Sequence, residues 1–223
     1  ILVLLDYLRT RGIKKIGLLR TELAYINSMA DAIRANLRPD ESLTEEIVLQ
    51  PGDSDLNPAM VRLANKKYDA LAVFLMSGQI SQFYRKAAGR HSARLTFGTD
   101  FFESMSEVQA AGPEMHGAVF PNNDIQPWFV DSYRKAFGND IQITFAANAH
   151  DFALLAAELF GGGKGSVLGA AEIREKIRNV SPHSGASGRF SFRESDKGGQ
   201  FFDFPLVIRR IEPQGIVTVY GGS

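Results

Sequence analysis

The stretch RGIKKIGLLRTELAYINSMADAIRANL, residues 11–37, changes its apolar period midway, and that change decides the fold. Residues 13–19 form an apolar run short enough for a buried strand. From Ile26 onward, Met29, Ala30, Ile33 and Leu37 step by three and four, which puts them on one helical stripe. A strand is therefore followed by a crossover helix. Working outward, strand-like runs recur at 46–49, 70–76, 94–97 and 117–120. Helix-period segments follow them at 57–66, 80–88, 101–110 and 125–137, the first opened by Asn57-Pro58 as a cap and first turn. Five such units, joined by right-handed crossovers, predict an α/β fold with a doubly wound parallel sheet, a Rossmann-like lobe. Residues 1–11 would be an extra helix.

After Gly138 the rhythm changes. Two helices are expected at 148–160 and 170–180, separated by Gly161, Gly162, Gly163 and Gly165 rather than by a strand. Extended segments are expected at 187–192 and 201–211 around a polar turn at 194–200, with a last edge strand at 215–220. This tail has apolar faces and too little sheet to bury them, so either it packs on the first unit or its partner is missing, and a missing partner is the expectation.

The composition is ordinary for a globular chain: 223 residues, 44% apolar and 22% charged, with 25 Lys+Arg against 25 Asp+Glu. Zero formal charge without a basic block argues against nucleic acid as a partner. No cysteine is present, which removes thiolate metal sites, thiol nucleophiles and disulfides. No run approaches the roughly 18 to 20 apolar residues that cross a bilayer, so this segment predicts no direct membrane insertion. The chain begins with Ile inside an amphipathic segment, which reads as a cut or processed end, and a signal peptide would be invisible.

Most chemical motifs fail on context. GGGKGS at 161–166 resembles a phosphate loop, but its lysine precedes Gly165 instead of Ser/Thr and a helix stands where a strand is required. Asp53, Asp55 and Asn57 imitate the start of a calcium loop, yet Pro58 and Ala64 replace the required glycine and glutamate. His91, His116, His150 and His183 are too scattered for a metal site. There is no G-x-S-x-G elbow, and the G-x-x-G of 185–188 does not open a helix. No catalytic residue, metal or cofactor is expected, and the 16 phenylalanines read mainly as core.

In an open parallel sheet, ligands bind beyond the carboxyl ends of the strands, where strand order reverses. That selects the loops 20–25, 50–56, 76–79, 99–102 and 121–124. Within them Tyr25 could cover an apolar group and donate its hydroxyl, and Asp100 could accept from an ammonium or hydroxyl. A helix-start tyrosine and an N-cap aspartate explain the same residues without a ligand.

The segments 11–37, PGDSDLNPAMVRLANKKYDALAVF (51–74), RLTFGTDFFES (94–104), AANAHDFALLAAELF (146–160) and GRFSFRESDKGG (188–199) follow in a familiar order. Together they resemble periplasmic solute-binding proteins of the branched-chain amino acid type, over essentially the whole chain. The resemblance implies two α/β lobes that close on a ligand, with most of the first lobe's sheet absent. Residues 1–143 would be the second lobe, 144–199 a partial first-lobe segment, and 200–223 the return. Tyr25 falls on the tyrosine that covers the ligand, and Asp100 on the acidic residue that holds its ammonium. A second tyrosine is replaced by Met76, followed by Ser77 and Gly78, which departs from the branched-chain pattern. Aspartate in place of glutamate moves the charge inward by about one methylene and implies a bulkier or differently placed ligand.

The resemblance implies a periplasmic or extracellular component of an ABC importer. It would take a small amino acid, amide or related acid, present it to a permease and perform no chemistry. A ligand-sensing or regulatory domain of the same fold, contacting a protein partner, is the alternative.

Overall fold

The computed structural model describes residues 1–87, 89–161, 168–195 and 199–221. Ala88, nearly all of the glycine-rich stretch 161–166 and the middle of the turn 194–200 lie outside the described residues.

The chain divides into two compact units. The first holds 1–122 and 207–221, and the second holds 123–206. In the first unit the strands are β1 (Lys15–Thr21), β2 (Ser42–Leu49), β3 (Ala70–Phe74), β4 (Leu95–Phe97), β5 (Val119–Asn123), β9 (Leu206–Glu212) and β10 (Gly215–Tyr220). They form a seven-stranded sheet in the order β10-β9-β5-β4-β3-β1-β2. The pairs β1–β2, β1–β3, β3–β4 and β4–β5 are parallel, and β9–β10 is antiparallel at the edge. The order 2-1-3-4-5 is that of a doubly wound sheet, with its reversal between β1 and β3.

Alternation along the strands sends side chains into two cores. Ile16, Leu18, Ala70, Ala72 and Phe74 pack with helices α1 (Leu2–Thr10) and α2 (Ala24–Asn36) on one face. Leu19, Leu71, Val73 and Leu75 pack on the other face, with α3 (Asn57–Ala64), α4 (Gln79–Ala87) and α5 (Met105–Ala111). Strand β3 is buried at all five positions because each of its faces has a helical layer. Burying any one of its large side chains contributes roughly 1.5 to 3 kcal/mol, so the centre of this sheet is the stable scaffold for the loops at its end.

Several boundaries differ from the sequence expectation for local reasons. Gly117 has φ +87°, so β5 starts at Val119 instead of 117. The segment 101–110 is a 3-10 turn, Asp100–Glu103, and then α5, separated by an extended Ser104. Pro205, which lacks an amide donor, lies in the break that splits 201–211 into β8 (Gln200–Asp203) and β9. Asn57 does not cap α3. Leu56 holds the cap position, while Asp55 accepts from the Asn57 amide at 2.9 Å.

The second unit holds α6 (Pro127–Phe137), α7 (Ile143–Phe160), α8 (Ala170–Arg178) and the antiparallel sheet β6 (His183–Gly185), β7 (Gly188–Glu194), β8. The division departs from the expected 1–143, 144–199 and 200–223. Helix α6 packs with α7 through Phe129, Ile143 and Ala147, and β8 pairs with β7, so both belong to 123–206. This unit leaves large apolar side chains on its surface, including Phe145 at 62% and Leu154 at 50% exposure on α7. Helix α8 buries none of its residues. The expected excess of apolar face over sheet is observed.

The G-x-x-G of 185–188 is the two-residue turn between β6 and β7, with Gly188 supplying the left-handed step at φ +80°. Its buried Ala186 and Ser187 amides donate to the two carboxylate oxygens of Asp151 on α7, at 2.6 and 2.7 Å. Gly185 is required by closeness, since a Cβ there would lie 2.2 Å from Asp151 Oδ1.

Candidate functional site

Tyr25 stands in the first turn of α2, just beyond the carboxyl end of β1. Its loop is fixed by charge. Arg20, at the end of β1, donates to Glu22 at 2.7 Å, to Asn27 at 2.6 Å and to Glu46 on β2 at 2.7 Å. Burial pushes the Glu46 carboxyl up, but hydrogen bonds from Arg34 and Arg20 outweigh it and hold that carboxyl below its ordinary value.

Asp100 follows β4 and opens the 3-10 turn. The capping role falls to Thr99, whose hydroxyl accepts from the Phe101 amide at 3.3 Å. That leaves the Asp100 carboxylate for another task. Tyr25 donates its hydroxyl to Asp100 Oδ1 at 2.6 Å, and the Tyr25 ring lies 5.7 Å from that of Phe101. Partial burial raises the Tyr25 hydroxyl pKa well above the ordinary phenol value, and the bond to Asp100 raises it further, so the hydroxyl stays a donor. Tyr25 remains 44% exposed, and Asp100 is half-buried.

Met76, Ser77 and Gly78 follow β3, at the same end of the sheet and on the loop between those of β1 and β4. Met76 is half-buried, and Ser77 and Gly78 are exposed. Gly78 has φ +87°, a conformation that favours glycine. The structure thus joins Tyr25 to Asp100 directly and sets 76–78 on the adjoining loop without a recorded contact to either.

Two positioning residues escape sequence reading. Gln79 is buried at the start of α4. Its Oε1 accepts from the Thr21 hydroxyl at 2.6 Å, and its Nε2 donates to the carbonyls of Gln50 and Asp53 at 3.2 and 3.0 Å. One amide therefore ties together the loops after β1, β2 and β3. Glu107, buried on α5, accepts from the Gly78 amide and from the Ser81 amide at 2.8 Å. Nothing in the sequence marks these two, because most of their partners are backbone groups far along the chain and the one side-chain partner, Thr21, is 58 residues from Gln79. Gln79→Ala is expected to cost about 2 kcal/mol in urea denaturation, since buried donors and acceptors lose partners. Gln79→Glu should not rescue it, because a carboxylate cannot donate to the two carbonyls. Recovery by glutamate would refute the staple.

Gly98 controls the seat of Asp100. A Cβ there would fall 2.2 Å from the buried Phe102 ring. Gly98→Ala should cost about 1 to 3 kcal/mol through overpacking and shift the 99–103 turn, read as a lower urea midpoint and moved Phe102 ring resonances. An unchanged midpoint would show that the ring yields freely.

Three of the remaining sequence features have structural partners. Asp53 accepts from the Gln50 amide at 2.7 Å, which accounts for the calcium-like stretch as a turn. His91 stacks on Phe83 and His183 lies against Phe190. Among the described residues no group of His, Asp and Glu could hold a metal ion, and no helix is long and apolar enough to cross a membrane.

The sequence profile of the family described as periplasmic binding protein matches residues 1–213. The chain belongs to the periplasmic binding protein family. Solved structures of the same fold include the branched-chain amino acid transporter substrate-binding protein LivJ of Streptococcus pneumoniae with isoleucine. It is 20% identical with a TM-score of 0.78, over 98% of this chain and 64% of that one. A leucine-binding protein LivK of Thermotoga maritima is 15% identical with a TM-score of 0.81, over 96% and 62%. A solute-binding protein of an ABC transporter from R. palustris, in complex with benzoate, is 17% identical with a TM-score of 0.73, over 97% and 60%. The chain thus spans less than two thirds of the length of these periplasmic binding proteins. No curated protein matches the sequence. Members of the branched-chain type share this α/β fold, as the resemblance implied.

Proposed function

We propose that this chain is the ligand-gripping part of a periplasmic or extracellular solute-binding protein serving an ABC importer. Its solute is a small amine-bearing or amino-acid-like molecule. The observation that carries the reading is the Tyr25–Asp100 pair, next to the sheet's reversal point, with one carboxylate oxygen engaged by Tyr25. The other oxygen is available to accept from an ammonium, while the Tyr25 ring covers an apolar group. A bare aromatic carboxylate fits less well, because Asp100 would repel it at close range. The opposing half of the grip is assigned to the rest of the whole protein, and the loop 76–78 to the rim where branched-chain specificity would be altered. Catalysis forms no part of the proposal, since among the described residues no nucleophile with an orienting base adjoins the pair. The permease is the partner that takes the loaded protein.

The test is a thermal-shift series on the full-length protein with amino acids, amides and aromatic acids. A ligand at a hundred times its Kd adds about 2.7 kcal/mol and raises Tm by several degrees. Amine-bearing compounds are expected to produce the shift. A shift confined to acids without an amine, or none at all, would overturn the proposal.

A further inference from the structure

The opposite end of the same sheet carries a second concavity, independent of the proposed solute grip. It encloses about 420 Å³ and is built at the amino ends of the parallel strands, where Ile13 precedes β1, Leu95 opens β4 and Gly117 precedes β5. Its floor is apolar and aromatic: Ile13 and Tyr7 are buried, and Tyr7 packs against Tyr220 with ring centroids 5.6 Å apart. Its rim is cationic, with Arg11, Arg94 and Arg210 against the single carboxylate of Glu212.

These arginines are not equally engaged. Arg210 is bonded to Glu212, and Arg94 reaches Asp69 only at 3.4 Å, where that carboxylate already accepts from the Lys14 and Lys15 amides. Arg11 lies over the Tyr7 ring at 5.2 Å and makes no ion pair among the described residues. A guanidinium stacked on an aromatic keeps its edge N–H groups directed outward, where they can bind a carboxylate in a forked manner. The volume falls within the range of small-molecule sites, and an apolar floor with a few convergent charges is their usual chemistry.

We infer that this cleft is a second binding site, for a small organic anion with a flat apolar body, an aryl carboxylate. The apolar body rests on Leu95 and the narrow exposed edges of Tyr7 and Ile13, and the carboxylate meets Arg11 and Arg94. The site faces away from the Tyr25–Asp100 surface, so its occupancy does not require the solute.

Selective ¹⁵N labelling of glycine in the full-length protein tests this with 2-naphthoate as probe, because Gly117 lines the cleft and Gly78 reports on the other end. Saturable movement of the Gly117 amide is expected. The double variant Arg11→Met, Arg94→Met, which keeps the aliphatic stems, should raise the Kd read at Gly117 at least tenfold. The inference falls if Gly117 does not respond, if the double variant binds equally well, or if uncharged 2-naphthalenemethanol moves Gly117 with the same Kd. Gly78 is expected to stay still, since Asp100 at that end repels an aryl carboxylate, and movement of Gly78 with the same Kd as Gly117 would overturn the inference.

Discussion

Asp151→Ala should destabilise the second unit by about 3 kcal/mol. The carboxylate is fully buried and accepts from the Ala186 and Ser187 amides, which are themselves buried. Alanine would leave two amides without acceptors, and each buried orphan costs about 1 to 3 kcal/mol. The turn has no substitute. Asn148 is already committed to the Ser187 hydroxyl and Asn123, both at 2.8 Å. Asp151→Asn keeps one acceptor and should recover roughly half of the loss. Urea denaturation, with hydrogen exchange at Ala186 and Ser187, separates the outcomes. Wild-type stability with protected amides in the alanine variant would remove the turn from the carboxylate's keeping.

This carboxylate also shows where sequence reading stops. The parallel sheet was legible because period changes are local: 13–19 and then Ile26 to Leu37 announce a strand and a helix within one short window. Tyr25 and Asp100 were legible because the fold sends the ends of β1 and β4 to one edge, and only a few side chains there carry chemistry. Asp151, Gln79 and Glu107 were not. Each is a polar residue on a helix held mainly by groups at least 26 residues away, and the neighbouring His150, 3.1 Å from Asp151, does not announce the turn that Asp151 serves. The choice between cap and ligand residue at Asp100 was also open in the sequence, since Thr99 and Asp100 are both good caps. Geometry gave the cap to Thr99 and turned Asp100 toward Tyr25. The same reasoning explains why the contact division falls at 122–123 while the sequence pattern suggested 143. A helix pattern does not say which neighbour it packs on, and α6 found Ile143 and Ala147 of α7.

On the proposed function, Asp100→Ala should weaken binding of an amine-bearing solute by about 2 to 5 kcal/mol and leave folding close to wild type. The side chain caps nothing, and its one recorded partner is the half-exposed Tyr25 hydroxyl, so its removal costs little in the free protein. In a closed grip the ammonium would lose water as well as its counter-charge, which is why the binding loss exceeds the folding loss. Tyr25→Phe separates the two contributions. It keeps the ring against Phe101 and removes only the hydroxyl, so about 1 kcal/mol of binding should be lost. Asp100→Asn should stay nearer to alanine than to wild type, because a neutral amide offers no charge to the ammonium. Calorimetric titration of the full-length protein, using the solute found by thermal shift, ranks the three variants. Equal affinity in wild type and Asp100→Ala would mean that the carboxylate serves Tyr25 alone. A tighter Asp100→Ala complex would mean that the solute presents an anion at this position and that the proposed charge pairing has the wrong sign.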